Sequence, residues 1–356
     1  MGEPGVPGDS LTGTAMATEP TLFPFSEYWW LYAGFAVFVG LLLVLDLGVF
    51  NRKPHAVSFR EAGTWTAVWV TLALVFNVGL YFYLRHRLPH DARLTALPGF
   101  DPQATAWTAA LEFLAGYVIE YSLSVDNIFV FVVVLSYFAI PSDLQHRVLF
   151  FGILGALVFR AIFIALGAVL LQYNWVTWIF GAFLIITGVR MMFAHEKGME
   201  PEENALIRVF RKMMPVASQL HGRKFFVREG GRLHATPLFL CLLVLEVTDI
   251  VFAVDSVPAI FALTDEPFLV FSSNIFAILG LRSLYFLLKG AVDKFYLLKY
   301  GLGVVLVFVG LKMVWLNRAF GGHFPIVPSL AIIVGVIGAS IVLSLVFPQK
   351  RPEERG

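Results

Sequence analysis

The chain has 356 residues, 58% of them hydrophobic and only 14% charged, with a mean hydropathy of +0.77 and a formal net charge of +1. Soluble domains carry roughly 25% charged residues, so this composition describes a polytopic membrane protein. Its lysines and arginines fall in loops between apolar stretches, which leaves no basic patch for a nucleic acid. The single cysteine, Cys241, excludes a disulfide framework and a Cys/His zinc site.

In chain order, residues 1–27 hold Gly, Pro, Ser, Thr and acids but no Lys or Arg. They lack the positive start of a secretory signal and read as a disordered tail. A window of about 20 residues then picks out nine apolar spans, near 28–50, 65–84, 108–138, 148–171, 175–193, 237–262, 268–288, 296–316 and 328–347. The expected fold is all-α, a bundle of transmembrane helices filling 28–347. The third span is too long to stand upright, so it must tilt, break or protrude. Between spans 5 and 6 lies a cytoplasmic loop, 194–236, and residues 348–356 form a cytoplasmic tail. Arg52, Lys53, Arg60, Arg147, the basic run Lys197–Arg232, Lys289, Lys294, Lys299 and the tail bases would share one side if the N-terminus is outside. Only Arg85, Arg87, Arg93 and Arg318 would share the other. The excess of positive charge inside predicts N-out and C-in. Trp29, Trp30, Trp107, Trp175 and Trp315 stand at span ends, as interface anchors do.

Two spans contain related acidic segments. In "EYSLSVDNIFVF" and "VTDIVFAVDS", Glu120 corresponds to Asp249, Asp126 to Asp255 and Asn127 to Ser256. Downstream, Arg160 matches Arg282 and Arg190 matches Lys312, the two bases being equally spaced in both copies. This predicts a repeat of three spans, 108–193 (spans 3–5) and 237–316 (spans 6–8). Because three is odd, the second copy is inverted, an arrangement found in many secondary transporters.

Each carboxylate in mid-span costs roughly 2.5–3.5 kcal/mol, so Glu120, Asp126, Glu246, Asp249 and Asp255 together cost on the order of 10 kcal/mol. Arg160 and Arg282 lie deep enough to offset part of this, while Arg190 and Lys312 stand near enough to span ends to snorkel. The negative surplus suits protons, a cation, or each in turn. Positions six apart point about 120° from one another on a helix, so Glu120 and Asp126, or Asp249 and Asp255, either face different neighbours or flank a break. Pro258 suggests a break beside Asp255; in the first copy only Ser122, Ser124 and Asn127 argue for one. With Asn127 and Ser256 the acids form an oxygen-only ligand set, fit for a hard divalent ion such as Mn²⁺, Mg²⁺ or Ca²⁺. Asp46, Arg160 and Arg282 are accessory candidates. Asn77 and Asn274 read as helix–helix glue, and Glu112 as an entrance or solvated residue.

Together, "LDLGVFNRKPH" at 45–55, "EYSLSVDNIFVF" at 120–131 and "LEVTDIVFAVDSVPAIFA" at 245–262 resemble the TerC family of integral membrane proteins, over about residues 28–347. The resemblance implies a multi-pass protein of the bacterial inner membrane, in a family named for tellurium resistance and linked to manganese export and to metallation of exported proteins. It puts the family's acidic positions on Glu120, Asp126, Glu246, Asp249 and Asp255.

The expected function is therefore proton-coupled export of a divalent cation, Mn²⁺ foremost, with no permanently bound cofactor. The alternative is a non-transporting scaffold or metal-delivery factor that meets its protein partners through loop 194–236. No G-x-x-x-x-G-K-[ST] segment is present to hydrolyse a nucleotide, and no GxGD segment to support an aspartyl protease, so an enzyme is not expected.

Overall fold

The computed structural model describes residues 21–48, 58–171, 173–193, 210, 214–217, 219–289, 292–321 and 324–347. Ten helices carry the fold: α1 Phe25–Gly48, α2 Phe59–Arg87, α3 Pro102–Tyr137, α4 Ser142–Leu170, α5 Asn174–Phe193, α6 Pro237–Phe261, α7 Pro267–Leu279, α8 Leu281–Leu288, α9 Leu298–Ala319 and α10 Ile326–Val346. Eight are individually long and apolar enough to cross a membrane, and α7 with α8 makes a ninth span bent by 41°. An all-α polytopic bundle is thus what this sequence forms. Trp29, Trp30, Trp107, Trp175 and Trp315 are all exposed.

Local chemistry sets the helix ends. Asp101 caps α3 by accepting from the amides of Gln103 (2.9 Å) and Ala104 (3.2 Å), with Pro102 at the first helical position. Ser58 caps α2 through the Glu61 amide at 3.2 Å. Such polar caps lie outside the apolar window, which is why α2 and α3 begin six residues before their expected starts.

Two expectations are corrected. Both acid-bearing helices are continuous: α3 runs unbroken for 36 residues and α6 for 25. Pro258 sits in the last turn of α6, where a missing N–H costs one hydrogen bond and the helix is about to end. The sharp bend falls instead at Gly280, whose lack of a side chain weakens the helix there. Likewise Lys312 does not snorkel. It opens a π-helical turn, Lys312–Leu316, and is buried, within electrostatic reach of Glu112 and Asp265. Its counterpart Arg190 is exposed.

Order starts earlier than the expected tail boundary at residue 27. Phe23 is buried against Phe268 (ring centroids 5.0 Å), and the Leu22 amide donates to Glu266 Oε1 at 2.6 Å. Thr264 Oγ1, just past the end of α6, donates to Glu112 Oε2 in the first third of α3 at 2.6 Å. The start of α3 therefore lies beside the end of α6. At the opposite end, Lys289 Nζ, just after α8, donates to Gln145 Oε1 in the first turn of α4 at 2.8 Å.

Burial pushes the Glu266 carboxyl up to about 8; the Glu112 and Asp265 carboxylates add to the rise and the amides of Leu22 and Phe23 oppose it. The folded chain thus holds this proton more tightly than the unfolded chain, whose carboxyl titrates near 4.5. Stability contributed here is present below 4.5 and is lost as pH rises towards 8. Thermal melts across that window are expected to show a falling Tm whose slope flattens in Glu266→Gln; parallel curves would refute the assignment.

Packing follows a reciprocal scheme: α3 lies on α7, α6 on α4, and α5 on α9. The α5–α9 crossing is backbone to backbone. A Cβ added at Gly188 would stand 2.6 Å from the Gly303 carbonyl oxygen, and one at Gly310 the same distance from that of Gly181. Gly181 and Gly188 precede Gly303 and Gly310 by the interval that separates Arg160 from Arg282. Around the α3–α7 contact, Phe76, Phe113, Phe268 and Phe276 fill the core with α1 and α2; the Phe76 and Phe276 rings lie 4.8 Å apart.

Before α6, β1 Phe226–Glu229 and β2 Arg232–Ala235 form an antiparallel hairpin within the expected loop 194–236. Its two-residue turn, Gly230-Gly231, has φ of 56° and 79°, a conformation that glycine supplies without strain.

Candidate functional site

Four of the five expected acids form two groups that share Ser256. At the first, Glu120 near the middle of α3 is fully buried and ion-paired with Arg160 Nη1 of α4, itself 1% exposed. Arg160 Nη1 also donates to Ser256 Oγ of α6 (3.1 Å) and Asn274 Oδ1 of α7 (3.2 Å), and its Nη2 lies 3.6 Å from Asp249 Oδ1. Asn274 returns an Nδ2 donation to Glu120 Oε2 at 3.1 Å. One guanidinium thus gathers four helices, and removing one charge from such a buried pair costs about 3–5 kcal/mol because the other is stranded. Asp249 Oδ2 is buried and has no hydrogen-bond partner.

The second group surrounds a cavity of about 50 Å³ lined by Asp126, Asn127 and Leu123 of α3, Asp255, Ser256 and Phe252 of α6, Thr187 and Met191 of α5, and Leu306 of α9. That volume holds a few waters or one cation. Its polar groups are all oxygen donors, apart from the Asn127 amide nitrogen. Arg190 of α5 attracts Asp255 electrostatically from the same side.

The helical spacing explains the division. With α3 and α6 unbroken, residues six apart must face different neighbours, so Glu120 and Asp249 turn to Arg160 while Asp126 and Asp255 turn to the cavity. Glu246 joins neither group. Its half-buried carboxylate lies against Gly155 of α4, in space that a Cβ would fill, and Oε2 has no hydrogen-bond partner. Among the described residues, no three His, Cys, Asp or Glu side chains converge as a metal-holding group. The seven expected ligands are therefore split: Asp126, Asn127, Asp255 and Ser256 at the cavity, Glu120 and Asp249 on Arg160, and Glu246 apart. Arg160 is central, and Arg282 is buried two residues past the Gly280 bend. The Asp46 side chain lies outside the described residues.

Two participants were not expected. Asn274 read as helix–helix glue, and it does join helices, but through the central acid; Thr187 carried no signal beyond a hydroxyl near Arg190. Asn77 stays outside both groups.

Helices this numerous and apolar, with charges sequestered at their centre, define a multi-pass integral membrane protein. The profile of the integral membrane protein TerC family matches residues 105–352. The chain belongs to that family. It is 50% identical over 323 residues to "Uncharacterized membrane protein STKORF319" of Myxococcus xanthus, covering 90% of this chain and 94% of that one. It is 44% identical over 328 residues to "Putative membrane-bound redox modulator Alx" of Escherichia coli K12, covering 92% and 97%. A Rickettsia felis membrane protein is 35% identical over 316 residues, covering 88% and 96%. No solved structure matches the chain.

Proposed function

We propose that the chain is a secondary transporter of the bacterial inner membrane, N-out and C-in, that exports a hard divalent cation, Mn²⁺ foremost, in exchange for protons. The observation that carries this reading is the cavity where Asp126 and Asp255, equivalent positions of two related segments, stand with Asn127, Ser256 and Thr187. Two carboxylates with neutral oxygens suit Mn²⁺ or Mg²⁺, which keep part of their water shell. In this reading Asp126 and Asp255 take up protons when the ion leaves, and the pair of Glu120 with Arg160 is a fixed centre about which the halves move. The reciprocal contacts of spans 3 to 5 with spans 6 to 8, and the equal intervals between arginines and glycines, support an inverted repeat suited to alternating access.

Mn²⁺ uptake into inside-out vesicles under an imposed pH gradient tests the reading. Asp126→Asn and Asp255→Asn are each expected to abolish uptake while protein yield and helicity hold. Unchanged flux in both variants would sink it, and uptake by the parent no greater than in vesicles lacking the chain would favour a non-transporting, metal-delivering scaffold. The relatives' redox name adds a constraint: with only Cys241, and that buried, this chain cannot form an intramolecular disulfide. A redox effect would then follow from cation balance.

A further inference from the structure

The hairpin ends at Ala235, two residues before α6 begins at Pro237, so chain continuity holds it at the surface of the membrane. It is also docked. Phe226 packs on Phe239 in the first turn of α6 with ring centroids 4.5 Å apart, and Thr236 Oγ1 donates to the carbonyls of Lys224 (2.9 Å) and Phe225 (3.1 Å).

Strand register pairs Phe226 with Ala235 and Arg228 with Leu233, which places these four on one face. Ala235 is fully buried, but Phe226 is 40% and Leu233 49% exposed. Around them Arg223, Lys224, Arg228 and Arg232 are exposed. Glu229, opposite Arg232 across the strands, lies 3.1 Å from His221 Nε2, and among the described residues none of the four cations has a carboxylate within 4 Å. Arg147 of α4 lies over the Phe225 ring at 5.0 Å and close enough to Arg223 to repel it. Cations crowded together beside exposed apolar rings, at the depth where a spanning helix leaves the bilayer, call for an anionic partner with an apolar boundary.

We propose that this hairpin binds anionic phospholipid headgroups. Phe226 and Leu233 rest at the acyl boundary, and Arg223, Lys224, Arg228 and Arg232 contact the phosphates. A phospholipid surface meets both requirements at once and is already within reach. A soluble acidic protein would meet the charge alone and leave Leu233 to be covered separately. Because the surface lies outside the cavity, the inference stands whether or not the chain moves a cation.

The test uses the full chain carrying Leu233→Cys, labelled with an environment-sensitive fluorophore; Cys241 is buried and stays unlabelled. The chain is placed in nanodiscs of phosphatidylcholine alone or of phosphatidylcholine with phosphatidylglycerol. In the anionic discs the emission is expected to shift to the blue and to be quenched by nitroxide-bearing lipids. Reversing Arg223→Glu, Arg228→Glu and Arg232→Glu should remove the difference, each lost base weakening the contact about fivefold. Emission that is identical in the two compositions for the unreversed chain overturns the proposal and assigns the surface to a soluble partner. That comparison needs no charge variant, so it holds even if the reversed chain fails to fold.

Discussion

Exchange of Arg160 for glutamine is expected to lower stability by about 3–5 kcal/mol, a large share of the roughly 5–15 kcal/mol that holds an ordinary protein domain. The cause is the stranding of Glu120, fully buried, and of Asp249, buried with one oxygen already lacking a partner. Asn274 can still donate to Glu120, but a neutral amide replaces little of a guanidinium. Melting of the purified chain in detergent, or its elution profile after heating, reads the loss. Glu120→Gln combined with Arg160→Gln should recover part of it, because both charges leave together, while Asp249 keeps the recovery incomplete. A single variant as stable as the parent would mean that the centre does not hold the four helices.

The second large effect is expected at the α5–α9 crossing. In Gly188→Ala or Gly310→Ala the new methyl meets a carbonyl oxygen of the facing helix at 2.6 Å. Backbone cannot rotate out of the way as a side chain can, so the helices must separate, at about 1–3 kcal/mol for each substitution. Each meets its own carbonyl, but both force apart the same two helices, so their combined effect should depart from the sum of the two. Gly79→Ala in α2 is the control. Nothing lies within 4 Å of its added Cβ, and alanine there should gain about 0.5–1 kcal/mol of helix propensity. If Gly188→Ala melts with the control, the crossing is looser than drawn.

Apolar length alone revealed the nine spans, since a bilayer admits few other arrangements of such a chain. Their ends were less legible, because Ser58 and Asp101 set them by hydrogen bonding and hydropathy is blind to geometry. Pro258 invited a break that did not occur; the same residue is costly in mid-helix and nearly free in a last turn. Gly280, where the bend does fall, is one of 30 glycines and nothing in its neighbours marked it. The buried acids stood out by their cost. Their division into two groups did not, for it depends on how α3 and α6 rotate against each other and on which arginine reaches in. Asn274 shows the limit plainly: an amide in an apolar run has one appearance in sequence whether it joins two helices or steadies the central acid. The glycine spacing is present in the sequence but carried no cost that would mark it. It repeats at the same interval as the arginines.

The bare crossing of α5 and α9 also governs the cavity, because Thr187 and Met191 belong to one of these helices and Leu306 to the other. At this crossing Gly181, Gly188, Gly303 and Gly310 each meet a carbonyl of the facing helix together with a side chain, Val314, Val307, Met192 and Ile185 in turn, so the rods touch with no spacer between them. A substitution that pushes these two rods apart is therefore expected to widen the chamber beside Asp126 and Asp255 as well.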